Sequence, residues 1–311
     1  MNHWIIAPVV LPALLAPLIA YVMRYDITLQ RVASITGAVL LCAIAFGLFM
    51  LSADGSVHVY RLGHWPAPFG IVLVLDRLSA LLILLTSVLG LIVVIHSAAS
   101  GWDQRGRHFH ALMQFQLMGI CGAFLTGDAF NLFVFLEISA LASYVLIAMG
   151  SDRRALTAAY QYLIMGTIGA TFILIGVGLL YALTGTLNML DLAARLPEVA
   201  DSRTARTGFA FLTVGLGLKI ALFPLHLWLP NAYAYAPSAV SAFLAATATK
   251  VAVYVLLRFV FSVFGVEFAL GAMPLALGLA VGIAADAFLV RMTLVPAVMA
   301  LAGRWAWKIP R

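Results

Sequence analysis

Charge is what this 311-residue chain has least of. Asp, Glu, Lys and Arg together make up 10% of it, against about a quarter in an ordinary soluble domain. That deficit excludes a soluble globular protein. Hydrophobic residues reach 64% and the mean hydropathy is +1.07, in repeated apolar runs of about 20 residues, the length of a helix that crosses a bilayer. The expected fold class is therefore an all-α polytopic membrane protein with the lipid bilayer as its solvent. Cysteine is nearly absent too. Cys42 and Cys121 lie in separate apolar segments, which leaves no disulfide framework and no metal or redox motif, and both read as small core hydrophobes. The first apolar run lacks a basic leading segment and a small-residue cleavage site, so it reads as a retained span and not a signal peptide.

Lysine occurs three times, and two of the three, Lys219 and Lys250, fall inside apolar runs. The net charge of +6 is thus not a nucleic-acid footprint. It comes mostly from arginines in short connections, where they set orientation. Spans are expected at about 4–23, 31–52, 72–98, 109–127, 129–149, 156–184, 207–229, 239–264 and 270–302. The connection Arg24 to Arg31, Arg105 with Arg107, and Arg153 with Arg154 share one side, cytoplasmic by the positive-inside rule. The N-terminus is then outside, and Arg304, Lys308 and Arg311 land inside, as nine spans require. Arg195, Arg203 and Arg206 run against the rule, offset by Asp191, Glu198 and Asp201. A bacterial inner (plasma) membrane is the expected location.

Between the second and third spans, VHVYRLGHW alternates as a short external hairpin does. Asp76 and Arg77 read as an interfacial ion pair at the start of the third span, and His96 as a polar residue at its far end. Asp128, in the turn after Gly127, reads as a helix cap. Gly166 and Gly169–Ala170 mark close helix packing, and TLNMLDLAARLPEV reads as a short surface helix.

Glu137 differs from these acids. It lies about 12 Å into its span at 1.5 Å per residue, where a carboxylate must pair with a cation or hold a proton. Candidate partners are Lys219 and Lys250. Near Lys219 the seventh span is interrupted by Pro224, which cannot bond the Ile220 carbonyl, and it ends at Pro230, with His226 between the two prolines. Broken helices at membrane depth are tolerated where they line a cavity or water path. Desolvation disfavours a charged lysine and a nearby carboxylate favours it. The expected arrangement is a Glu137–Lys219 pair. Withdrawing or protonating the carboxylate loosens the proton on Lys219, which passes through water, with His226 assisting, to Lys250. A fixed ion pair that only ties helices together is the plainer alternative.

The stretches GDAFNLFVFLEISALASYVLIA, QYLIMGTIGATF and GLKIALFPLHLWLPNAYAYAPSAVSAFLAATATKVAVYVLLR resemble the antiporter-like membrane subunits shared by respiratory complex I and Mrp-type cation/proton antiporters. The resemblance is strongest to the D-type subunit of the Mrp antiporter and covers about residues 1–265. It implies a five-helix antiporter-like unit with a broken seventh helix. It also implies a proton-path pair at the positions of Glu137 and Lys219, and a central relay at Lys250. No nicotinamide, flavin or iron–sulfur cofactor is implied in this subunit. The implied partners are other Mrp-type or complex I-like membrane subunits in a hetero-oligomer, with protons and Na+ as the transported ions. Family members usually continue to a second, inverted unit, which is missing here. The tail GLAVGIAADAFLVRMTLVPAVMALAGRWAWKIPR instead resembles the last span of MmpL-type exporters of the RND superfamily, as a fusion or a rearranged gene. Asp286 and Arg291 read as a local pair within it.

Three parts follow: 1–108, a three-helix segment with an external hairpin; 109–264, the proton-pathway unit; and 265–311, an atypical C-terminal span. The leading expectation is a membrane subunit of a monovalent cation (Na+)/proton antiporter. One alternative is a proton-pumping subunit of an NADH-quinone oxidoreductase or membrane hydrogenase. The other, of a different class, is an inactive structural remnant.

Overall fold

Apolar runs punctuated by caps give a bundle of long helices. The structure, a computed structural model, describes residues 3–106 and 108–286, without the side chains of residue 105 and residues 282–286. The expected Asp286–Arg291 pair and the basic residues Arg107, Arg304, Lys308 and Arg311 lie outside the described residues or side chains. In chain order the elements are α1 (His3–Val22), α2 (Ile27–Leu51), a hairpin of β1 (His58–Arg61) and β2 (Val72–Leu75), α3 (Arg77–Ala99), α4 (Phe109–Leu125), α5 (Ala129–Ala148), α6 (Arg154–Thr184), the short α7 (Met189–Arg195), α8 (Arg203–Ile220), the short α9 (Leu229–Tyr235), α10 (Ser238–Phe264) and α11 (Val266–Asp286).

Among the described residues six helices, α1, α2, α3, α5, α6 and α10, are long and apolar enough to cross a membrane, which makes this a multi-pass membrane protein. The other long helices fall short of that measure for separate reasons. α4 has 17 residues, about 26 Å of helix, because the chain turns at Thr126–Gly127–Asp128 straight into α5. α8 has 18 residues and carries Arg203, Arg206 and Lys219.

α4 is buried along nearly all its length, from Phe109 and Met113 through Leu117, Cys121 and Leu125, and sits at the centre of the bundle. The surrounding helices turn apolar side chains outward, such as Leu40 on α2, Leu85 and Ile92 on α3, and Leu174 on α6. This is the pattern of a protein solvated by lipid. Lipid offers no hydrophobic drive between helices, so backbones must approach through small residues. The α6–α8 seam does this. A Cβ on Gly215 would lie 2.6 Å from the Gly169 carbonyl oxygen, and one on Gly176 would lie 2.8 Å from that of Gly208.

The hairpin end is tied by backbone bonds. β1 pairs antiparallel with β2, His58 opposite Leu75 and Arg61 opposite Val72. Gly127 N–H donates to Val72 O at 2.9 Å, and Met189 N–H to Gly127 O at 2.8 Å. Asp128 caps α5 by accepting from Asn131 N–H at 2.7 Å. Asp76 does not pair with its neighbour Arg77. It caps α3 in a reciprocal box with Ser79 and forms an ion pair with Arg258 of α10, while Arg77 donates to Ala53 O at 2.7 Å. At the opposite end Asp103 joins α2 to α4, accepting from Arg31 Nε at 2.6 Å and lying 3.0 Å from His110 Nε2.

Candidate functional site

α5 starts at the Asp128 cap, and two turns into it comes Glu137. α8, held against α6 by the glycine seam, ends with Lys219 in its last turn, where the helix dipole favours a cation. The two meet: Lys219 Nζ donates to Glu137 Oε1 at 2.8 Å, with side chains 9% and 23% exposed. Removing one member of so enclosed a pair leaves a charge without its partner, which costs about 3–5 kcal/mol in buried sites.

The way α8 ends differs from the sequence expectation. The helix stops at Ile220, four residues before Pro224. Ala221 adopts a left-handed conformation, φ 61° and ψ 45°. Ala221 N–H bonds Leu218 O at 3.2 Å and Leu222 N–H bonds Gly217 O at 2.9 Å, the paired bonds of a Schellman cap. Pro224 lies in the following loop. Pro230 does not end a helix; it sits in the first turn of α9, where its missing N–H has no intrahelical role to lose. Trp228 pins the loop back, its indole N–H donating to Leu218 O at 2.9 Å.

Trp228 also stacks on Tyr162, with ring centroids 4.1 Å apart and planes 4° from parallel, and Tyr144 meets Tyr162 edge-on at 4.7 Å. Gly166 makes room for this cluster, because a Cβ there would collide with the Tyr144 hydroxyl oxygen. Beside Lys219 a cavity of about 20 Å³ is lined by Ser139, Ser143 and Tyr162 on one side and by Ala248, Val251 and Ala252 of α10 on the other. That is space for about one water, with polar groups to hold it. The Ser143 hydroxyl lies 3.0 Å from Gln116 Oε1 and 2.8 Å from the Ser139 carbonyl, which continues the polar surface into α4.

The structure thus brings Glu137 and Lys219 together and leaves His226 and Lys250 out of direct contact with them. His226 lies in the loop after α8 with its ring 5.6 Å from Phe223. Lys250 is exposed. Its amine donates to Ala245 O at 2.5 Å and lies 3.3 Å from Thr249 Oγ1. α10 turns Ala248 and Ala252 to the cavity, and at 3.6 residues per turn Lys250 stands about 200° around the helix from both.

Sequence reasoning passed over Ser139, Ser143, Tyr144, Tyr162 and Trp228. A signal existed for some of them. Tyr144 is seven residues after Glu137, and Ser139 and Ser143 are four apart, so each set shares a helix face. Trp228 and Tyr162 come together only through the tertiary fold.

The family described as NADH:quinone oxidoreductase/Mrp antiporter, TM, matches residues 126–295, which include Glu137, Ser139, Ser143, Tyr162, Lys219 and Trp228 but not Gln116. The chain is 42% identical over 267 residues to the N-type subunit of NADH-quinone oxidoreductase of Desulforudis audaxviator, covering 84% of this chain and 53% of that one. It is 42% identical over 272 residues to the D-type subunit of a probable K(+)/H(+) antiporter of Rhizobium meliloti, covering 85% and 50%. It is 37% identical over 259 residues to the D-type subunit of the Na(+)/H(+) antiporter of Bacillus subtilis, covering 83% and 52%. Among solved structures, a chain of the Mrp complex from a Dietzia species superposes with a TM-score of 0.76 at 30% identity, over 83% of this chain and 48% of that one. The chain spans about half the length of the curated relatives it matches.

Proposed function

The chain belongs to the NADH:quinone oxidoreductase/Mrp antiporter membrane family, and from that premise we propose that it carries a proton path in a monovalent cation/proton antiporter. The observation that carries the proposal is the 2.8 Å Lys219–Glu137 contact at membrane depth. A bare ion pair there is costly to keep. A titrating pair is worth keeping, because each charge controls the other. The Lys219 amine donates to the Glu137 carboxylate. When the two part, a proton leaves by the water-sized cavity that Ser139 and Ser143 line. Lys250 and His226 serve as later stations. Lys250 faces away from the cavity, so a proton reaches it around α10 and not by direct transfer.

In this reading residues 109–264 are the pathway unit, 1–108 the flanking helices with the hairpin, and 265–311 a separate C-terminal part. The chain works in a hetero-oligomer with other antiporter-like subunits in a bacterial inner membrane, N-terminus and hairpin outside. Na+ is the exchanged ion we favour, from the similarity to the Bacillus subtilis protein.

The test is proton movement in vesicles containing the assembled complex. Glu137→Gln and Lys219→Ala are each expected to slow it about a hundredfold or more, the low end of what a positioned proton-transfer group contributes. Native rates in both variants would overturn the proposal. The similarity to a quinone oxidoreductase component favours a second reading, a redox-linked pump. Proton movement driven by a Na+ gradient without any electron donor decides for the antiporter, and movement that needs a donor decides for the pump.

A further inference from the structure

A second cavity, of about 590 Å³, opens on the hairpin face between β1, β2, α7 and the end of α10. Its deepest α10 residue is Tyr254, and Asp76, Thr126 and Arg258 also line it. The small cavity beside Lys219 reaches Ala252 on α10 and Ile120 on α4. The two are therefore separated along α10 by two residues, about 3 Å of helix rise.

On this stretch of α4 and α10 lies one aromatic pair. Phe124 and Tyr254 meet edge-on with ring centroids 5.1 Å apart, 2% and 6% exposed. The Tyr254 hydroxyl is fixed twice, donating to Phe124 O at 2.9 Å and accepting from Arg258 Nε at 2.8 Å. Arg258 is in turn bound to Asp76, whose other oxygen caps α3. Tyr254 is thus held to α4 by its own hydroxyl and, through Arg258, to the start of α3 by one ion pair, just before the part of α10 wound as a π-helix from Arg258 to Phe264. A π-helical stretch often marks a functional site.

We propose that Phe124 and Tyr254 form a gate between the hairpin-side cavity and the Glu137–Lys219 site, and that Asp76 and Arg258 are positioning residues that hold it shut. Opening joins the two cavities and gives water, and the protons it carries, access to Lys219 from the hairpin face. This rests on the proton-path reading for its purpose but not for its test.

The test is the accessibility of a cysteine behind the gate. Val251→Cys is placed in a Cys42→Ala, Cys121→Ala background, in the full-length protein in its membrane, and labelled with a membrane-impermeant methanethiosulfonate from either side. Trp65→Cys, on the exposed hairpin loop, identifies the hairpin side. With the latch intact Val251→Cys labels slowly. With Asp76→Asn, which keeps the α3 cap, or with Arg258→Gln, labelling from the hairpin side becomes about tenfold faster or more, as loss of a contact made only in the closed state requires. Unchanged labelling in both variants, or acceleration only from the opposite side, overturns the gate. Tyr254→Phe keeps the ring and removes both hydroxyl bonds, and it supplies the measurement if a latch variant does not accumulate. No proton flux is read. Native flux in both Glu137→Gln and Lys219→Ala would sink the functional proposal alone, and unchanged labelling would sink the gate alone.

Discussion

Ala221 holds the left-handed conformation that stops α8, at a position where helices commonly place glycine. A side chain there costs roughly 1–2 kcal/mol, and glycine gives back part of that gain through the greater freedom of its unfolded chain. Ala221→Gly is therefore expected to stabilise the protein by about 0.5–1 kcal/mol, read as a higher thermal midpoint in detergent. Trp228 acts on the same turn from the far side of the loop. Trp228→Phe keeps an aromatic face against Tyr162 but leaves Leu218 O without the indole donor. A loss of about 1 kcal/mol is expected, with a lower thermal midpoint. Neither residue touches the ion pair, so both variants separate the geometry of the break from its chemistry.

Helices α6 and α8 meet through glycine, and this sets how much substitution the element can bear. A Cβ on Gly215 would lie 2.6 Å from the Gly169 carbonyl oxygen and 2.8 Å from the Ile173 nitrogen, both backbone atoms that no rotamer change can move. Gly215→Ala is expected to cost about 1–3 kcal/mol, the usual penalty of overpacking. Gly178, on α6, has nothing within 4 Å of a built Cβ, so Gly178→Ala is expected to be neutral or to add up to about 1 kcal/mol through helix propensity. The pair of variants, compared by thermal unfolding, separates close approach from a general dislike of alanine. The sequence pointed to Gly166 and Gly169 as packing residues. It did not show which helix they face, because small residues at helical spacing name a surface and not its partner.

Across the whole molecule the ends of the bundle are held by charge. Burial pushes the Asp103 carboxyl up, but hydrogen bonds and charge from Arg31 and His110 outweigh it and hold the group below the ordinary carboxylate range. A folded value below the unfolded one means the stability it supplies is complete above about pH 4 and is lost as pH falls through the lower folded value. Acid titration of the unfolding midpoint is expected to show that loss in the native chain and a flatter acid limb in Asp103→Asn. The large features were legible from residues alone: apolar runs became helices, the alternating stretch became β1, and a carboxylate deep in an apolar run found an amine. What was hidden was hidden by distance or by blandness. Asp76 ignores its neighbour and pairs with Arg258, 182 residues away. The break falls at an alanine, a residue whose ordinary preference is to continue a helix, while the visible prolines only follow it. The tight seam between α6 and α8 has a mechanical result. Two helices whose backbones touch cannot slide past one another without collision, so they move as a single stiff body. Separating the acid from the amine must then come from rotation of the two side chains or from a tilt of α5. On the proton-path proposal, a crosslink binding α6 to α8 is expected to leave proton movement in vesicles running, and one binding α5 to α8 to stop it.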